Sequence, residues 1–188
     1  MGEIKSLNDN EAIQACLTGN SDAFAEIIHR YESKIAGTVV GMLGRCPEAE
    51  DVGQETFIRF YNNLNNFRGE ASVGTYLTRI AINLSLNELK RRQRKSSRDT
   101  SIDDPEVSES LYENRNRIEI EETRDVIYWA ISQLEPKLQS ALVLRMMDEC
   151  STEETAEILQ IPIGTVLSRF SRAKKQLLKI LKPYQENL

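Results

Sequence analysis

The chain has 188 residues, 40% hydrophobic and 28% charged, with 24 basic and 29 acidic side chains and a formal net charge of −5. That length sets one or two domains, no run approaches about 18 consecutive apolar residues, which argues against a membrane span, and residues 1–10 lack the apolar centre of a secretory signal. Three cysteines (Cys16, Cys46, Cys150), odd in number and far apart, give neither a disulfide framework nor a zinc site, so a reducing cytoplasm is expected.

Nine Gly, five Pro and little period-two alternation predict an all-α protein. The composition supports folding, though not around one large core. A first helix covers residues 11–17 and breaks at Gly19-Asn20. Ser21 is expected to cap a second, with Phe24, Ile27, Ile28, Tyr31 and Ile35 at helical spacing. It continues toward Val39, Val40, Met42 and Leu43, weakened by Gly37 and Gly41. Pro47 starts a third helix with Val52, Phe57, Phe60, Tyr61 and Leu64 inside. Its first two turns carry Glu48, Glu50, Asp51 and Glu55, which favour the helix dipole and repel DNA, so a functional role for this face means a protein partner.

The fourth helix, residues 72–95, buries Val73, Tyr76, Leu77, Ile80, Ala81 and Leu84. Thr75, Arg79, Asn83 and Asn87, spaced by four, line up on one exposed ridge. Residues 71–87 contain no acid, and Lys90, Arg91, Arg92, Gln93, Arg94 and Lys95 end the helix. Hydroxyl, guanidinium and amide groups hydrogen-bond base edges, and a basic terminus holds phosphates. Phe67, Arg68 and Tyr76 offer flat groups for unpaired bases, although core packing is the commoner fate of the two rings. The basic run also complements the helix dipole.

Net charge over residues 1–95, 96–122 and 123–188 is 0, −6 and +1. The middle segment, rich in Ser, Asp, Glu and Asn, reads as an acidic flexible linker between two small helical domains. Further on, Ser151 and Glu154 form a capping box, Thr155, Ala156, Ile158 and Leu159 give an apolar side, and Pro162 stops one helix and starts the next. In the second helix Val166, Phe170, Ala173, Leu177 and Leu181 mark the buried face, with Ser168, Arg169, Arg172, Lys175, Gln176 and Lys179 opposite. Residues 165–182 hold six Lys or Arg and no acid. This is the helix-turn-helix plan, whose second helix enters the major groove; the plain alternative is an αα-hairpin with a solvated basic face.

The string Glu50-Asp51-Val52-Gly53-Gln54-Glu55-Thr56-Phe57, then residues 67–72 and 75–83, resembles region 2 of the extracytoplasmic-function (ECF, group 4) sigma factors of the bacterial sigma-70 type. Residues 161–169 with Arg172-Ala173-Lys174 resemble region 4 of the same family. The resemblance implies a region 2 helical bundle over residues 1–95, an acidic linker over 96–122 and a region 4 helix-turn-helix domain over 123–188. It implies a sigma factor that binds core RNA polymerase through its β′ and β subunits and directs initiation at specific promoters. Asp51, Gln54 and Glu55 would dock on β′. With the ridge and basic terminus added, the −10 contact set is Arg59, Phe67, Arg68, Thr75, Tyr76, Arg79, Asn83, Asn87, Lys90 and Arg91. The −35 duplex would meet Thr165, Leu167, Ser168, Arg169, Arg172 and Lys175. No cofactor is implied, and an anti-sigma factor is, with a cytoplasmic location and retention at the inner membrane face by that factor.

Four positions depart from the family pattern: Tyr76 in place of Trp, a light Val73-Gly74 pair, Gln160 where a turn Gly is common, and Leu167 where Lys or Arg is frequent. Gln160 predicts a different or strained turn. Charge placement predicts weak promoter binding by the free chain, with polymerase separating the domains and exposing both faces. The competing reading is a helix-turn-helix repressor or activator with an N-terminal effector or dimerisation domain. An enzyme is not expected: Glu26 and His29 have the spacing of a di-iron ligand pair, but such sites need it twice and His29 is the only histidine.

Overall fold

The computed structural model describes residues 7–99 and 123–184. Eight α-helices fall within them: α1 (Asp9–Leu17), α2 (Ser21–Leu43), α3 (Pro47–Asn62), α4 (Val73–Asp99), α5 (Thr123–Ser132), α6 (Pro136–Met146), α7 (Thr152–Leu159) and α8 (Ile163–Leu181). Short 3-10 turns follow α3 and α8. The all-α expectation holds for the described residues.

Local chemistry explains most boundaries. Asn8 caps α1 in a capping box with Glu11, and Ser151 caps α7 in the same way with Glu154. Asn20, not Ser21, caps α2, accepting the N–H groups of Asp22 and Ala23. Glycines 37 and 41 do not interrupt α2, because α3, α4 and the C-terminal helices pack around it. Helix α4 runs to Asp99, so residues 96–99 of the expected linker are helical, and the remaining linker residues, 100–122, lie outside the described residues. Tyr61, expected inside, is 55% exposed with its edge against Phe24, while Leu64 is buried in the 3-10 turn that follows.

In the N-terminal part, α2 is the central post against which α1, α3 and α4 pack. The Tyr31 hydroxyl and the Arg30 guanidinium both donate to Asp9, tying α1 to α2. Burial, then the neighbouring Asp9 carboxylate, pushes Tyr31 up to about 12, so it stays a donor. In the C-terminal part, α6 packs against α8 and is buried on nearly every side, from Leu138 to Leu144.

The two helical domains pack on each other, and buried residues of both belong to one apolar cluster. Phe60, Ile27, Ile35, Met42 and Leu77 belong to the same apolar cluster as Leu142, Val143, Leu144 and Ile158. Each such side chain contributes about 1.5–3 kcal/mol through burial. The carbonyls at the end of α2 show how close the joint is. A helix leaves its last four without internal partners. Here Val40 accepts from the Gly44 N–H at 2.8 Å, Leu43 from Arg92 of α4 at 3.3 Å, and Gly41 and Met42 from the Gln139 amide of α6 at 3.1 and 2.9 Å.

Candidate nucleic-acid interface

The first candidate surface is built on α4 and the turn before it. Ser72 accepts the Thr75 N–H at 3.1 Å and its hydroxyl lies 2.9 Å from that of Thr75, fixing the first turn. Gly74 lets this turn approach α2, since a Cβ there would lie 3.0 Å from the Tyr31 ring. The light residue at position 74 therefore has a packing cause. Phe67 and Tyr76 are half-buried, edge-to-face at 5.3 Å, and both abut the buried Phe60. Packing fixes their orientation and leaves part of each ring at the surface; Arg68 beside them is 82% exposed.

The expected ridge is only half open. Asn83 and Asn87 are exposed, but Thr75 and Arg79 are half-buried. Arg79 is 24% exposed and pairs with Glu157 of α7 at 3.2 Å, while its Nε is buried without a partner. The cause is tertiary: α7 lies along α4, a contact no local pattern encodes. For the same reason α4 buries Thr78, Ile82 and Ser85 beyond its predicted stripe.

The basic end of α4 divides its work. Arg91 and Arg92 both pair with Glu88, at 2.7 and 3.1 Å, and these partners lower the Glu88 carboxyl's proton affinity. Arg92 also reaches the Cys46 thiol and Glu48, clamping α4 to the start of α3. Lys90, Arg94 and Lys95 remain exposed. Arg59, expected among the −10 contacts, is exposed and pairs with Glu55 of the acidic face of α3 at 2.7 Å. On that face Asp51 and Gln54 are exposed, and Ile58, 53% exposed, continues the row one turn on; its apolar character at a surface position was the signal missed in the sequence.

The second surface is α8. Gln160 ends α7 in the left-handed conformation at φ 53°, so the turn keeps the geometry a glycine would adopt rather than a different one. Helix α8 starts after Pro162 with no side-chain cap and no acid in its first turn, leaving its first N–H groups available to an anion. Leu167, Ser168, Arg172 and Lys175 are exposed, and Thr165 and Arg169 are half-buried. Lys174 lies over the Phe170 ring at 4.8 Å. Between α5, α6 and α8 opens an apolar hollow of about 500 Å³, lined by Ile127, Tyr128, Ile131, Met146 and Leu177 among others.

No metal site forms among the described residues. Glu26 pairs with Arg30, and His29, 72% exposed, faces Glu32. No helix of the described residues is long and apolar enough to cross a membrane.

Residues 27–95 match the family described as Sigma-70 region 2, and residues 124–177 match Sigma-70, region 4. The chain is 36% identical over 185 residues to the RNA polymerase sigma-H factor of Pseudomonas aeruginosa, covering 93% of this chain and 94% of that one. It is 34% identical over 172 residues to the ECF RNA polymerase sigma factor SigW of Bacillus subtilis, covering 87% and 91%. Among solved structures, the sigma factor RpoE in complex with the anti-sigma factor NepR from Bartonella quintana gives a TM-score of 0.67 at 19% identity, covering 85% of this chain and 96% of that one. CnrH in complex with the cytosolic domain of CnrY gives 0.66 at 20%, covering 93% and 97%.

The chain belongs to the ECF subfamily of the sigma-70 family of bacterial RNA polymerase sigma factors. It is an alternative sigma factor, a non-enzymatic initiation factor that binds core RNA polymerase and promoter DNA and directs promoter-specific transcription. The repressor reading gains no support, since both halves match sigma regions.

Proposed function

We propose that residues 1–95 dock on polymerase and open the −10 element, and that residues 123–188 read the −35 element as duplex, with residues 96–122 joining them. The observation that carries this division is the pair of acid-free helix faces on separate parts of one chain. In the second, the uncapped start of α8 sits beside exposed Ser168, Arg172 and Lys175. Phosphates bind at the α8 N-terminus and along its cations, and base edges meet Ser168, Arg169 and Leu167. Leu167 gives up a phosphate or base contact and offers apolar contact to a thymine methyl instead.

For the −10 element, Phe67 and Tyr76 present ring surface to an unpaired base, the exposed Arg68 lies beside them with Glu70 at 4.0 Å, and Asn83 and Asn87 hydrogen-bond base edges. Lys90 and Arg91 lie toward the backbone. Arg59 acts through Glu55, orienting the carboxylate rather than touching DNA. Asp51, Gln54, Glu55 and Ile58 form the surface for the β′ subunit, and a contact with β completes the docking. An anti-sigma factor is a further partner: one of the similar solved structures is a sigma factor in complex with an anti-sigma factor, and the hollow between α5, α6 and α8 supplies an apolar seat for a helix. A cytoplasmic site, with retention at the inner membrane face by that factor, follows from these partners.

Permanganate mapping of open promoter DNA tests the division. Asn83→Ala and Arg79→Ala should reduce opening about tenfold or more while duplex binding by the holoenzyme changes less than twofold, consistent with loss of about 1–3 kcal/mol per base contact. Equal loss of both activities would refute the −10 assignment.

A further inference from the structure

The loop that presents Phe67 and Arg68 runs over residues 67–72, between the 3-10 turn Leu64–Asn66 and α4, and its residues 68–70 are exposed. Helix α1 and one tyrosine of α2 brace it at both ends. At the near end, Ala12 and Ile13 of α1 and Leu64 of the turn are buried in one cluster, and the Leu64 carbonyl accepts the Phe67 N–H at 3.1 Å. In the middle, the Asn10 side-chain oxygen lies 3.9 Å from where a Cβ on Gly69 would sit, at a residue whose φ of 70° suits glycine.

The far end is the first turn of α4, whose leading N–H groups find no carbonyl inside the helix. Ser72 takes that of Thr75 at 3.1 Å. Gly74 makes a main-chain hydrogen bond to the Tyr31 hydroxyl instead, with the ring so close that a Cβ on Gly74 would lie 3.0 Å from it. That hydroxyl has one proton, which it gives to Asp9 Oδ2. Asp9 Oδ1 accepts from Arg30 at 3.1 Å, and Glu26 holds Arg30 in turn at 3.0 Å. The chain of bonds therefore has one direction, Gly74 to Tyr31 to Asp9, and both oxygens of Asp9 are occupied. We infer that Tyr31, held by Asp9, is a positioning residue for −10 recognition: it fixes the turn that carries Tyr76 against the loop that carries Phe67, so that the two rings keep one spacing. The inference rests on the reading of Phe67 and Tyr76 as −10 contacts. A phenylalanine at 31 would pack as well against Gly74; the hydroxyl and its carboxylate partner add direction.

The test uses the full-length chain bound to bacterial core polymerase, and a promoter whose start has been mapped with the wild-type holoenzyme. Two barcoded pools are transcribed, one randomised over the element nearer the start and one over the upstream element, and the transcripts are sequenced. The ratio of yields between the best and the worst base at each position measures discrimination. A smaller active fraction of holoenzyme scales every member of a pool alike and leaves these ratios unchanged. Tyr31→Phe and Asp9→Ala should lower the ratio at one or more positions of the nearer element about three- to tenfold, as expected when a stacked base loses part of its hold, with the upstream ratios changed less than about twofold. Asp9→Asn, which still accepts the Tyr31 proton, should stay within about twofold of the wild type. Phe67→Ala should flatten the same positions.

Ratios that hold while total yield falls, losses shared equally by both pools, or equal losses in Asp9→Asn and Asp9→Ala would each overturn the positioning role. Unchanged ratios in Phe67→Ala would refute the −10 reading and the inference with it. An effect of Phe67→Ala without one of Tyr31→Phe refutes the inference alone. Should Tyr31→Phe lose its helical circular dichroism, Asp9→Ala, at a half-exposed position, decides by itself.

Discussion

Along α4, Arg79 meets Glu157, Arg91 and Arg92 meet Glu88, and Arg92 reaches on to Glu48; along α8, no cation enters an ion pair among the described residues. Both helices have acid-free stretches suited to a polyanion, yet one has partners supplied by the rest of the fold and the other faces outward. Position explains it. Helix α4 is enclosed by α2, α3 and α7, so its polar groups must find partners or remain buried without them, as Thr78 and Ser85 do. Helix α8 packs one face on α6 and leaves the other to solvent. The difference teaches that a basic helix face in a sequence is a capacity, and the tertiary contacts decide when it is available.

The largest expected effect lies on the open helix. Combined Arg172→Ala, Lys175→Ala and Lys179→Ala should cost on the order of 100-fold in duplex promoter affinity and lower the salt slope by roughly three, while stability changes by less than about 0.5 kcal/mol. An unchanged slope would break the contrast. On the enclosed helix the same kind of change acts on folding: Arg92→Ala should cost about 2 kcal/mol in urea unfolding, because it strips partners from the Leu43 carbonyl and from Glu88.

The joint itself should respond to acid. Burial pushes the Asp148 carboxyl up to about 6, against the opposing pull of the Thr38 hydroxyl and Lys34. A carboxyl whose proton affinity rises on folding favours the folded form when protonated, so this contribution is complete below its ordinary value near 4 and is lost as pH rises through about 6. Thermal unfolding should therefore show Asp148→Asn more stable than wild type by at most about 3 kcal/mol at pH 7.5, with the difference vanishing near pH 4. A constant difference across that range would mean that Asp148 is not held at the joint. The smallest effect belongs to the turn: Gln160→Gly should add about 0.5–1 kcal/mol by relieving the left-handed residue, with no change in duplex specificity.

What could be read from the sequence follows the range of the interactions. The capping box at Ser151, the stop at Pro162 and the apolar stripe of α8 are local and appear as expected. The cap at Asn20 rather than Ser21 is a one-residue choice between two capable side chains. The cover over Arg79 was not legible, since Glu157 lies 78 residues away and nothing nearby marks the pair. Gln139 did leave a trace. A Gln between Leu138 and the apolar stretch 141–144 of α6 falls on a buried side and requires a partner, though only the fold shows that the partner is the end of α2. The glycine at 41, which weakens a helix on propensity alone, marks where a second helix must come close.

The most direct test of the two-part promoter reader is reconstitution with bacterial core polymerase on a fragment library of the source genome, with transcript starts mapped. The predicted result is stable association with core and starts that cluster downstream of a shared pair of elements, one read as duplex by α8 and one opened at α4. Failure to bind core, or binding with starts no more clustered than those of core alone, would contradict it.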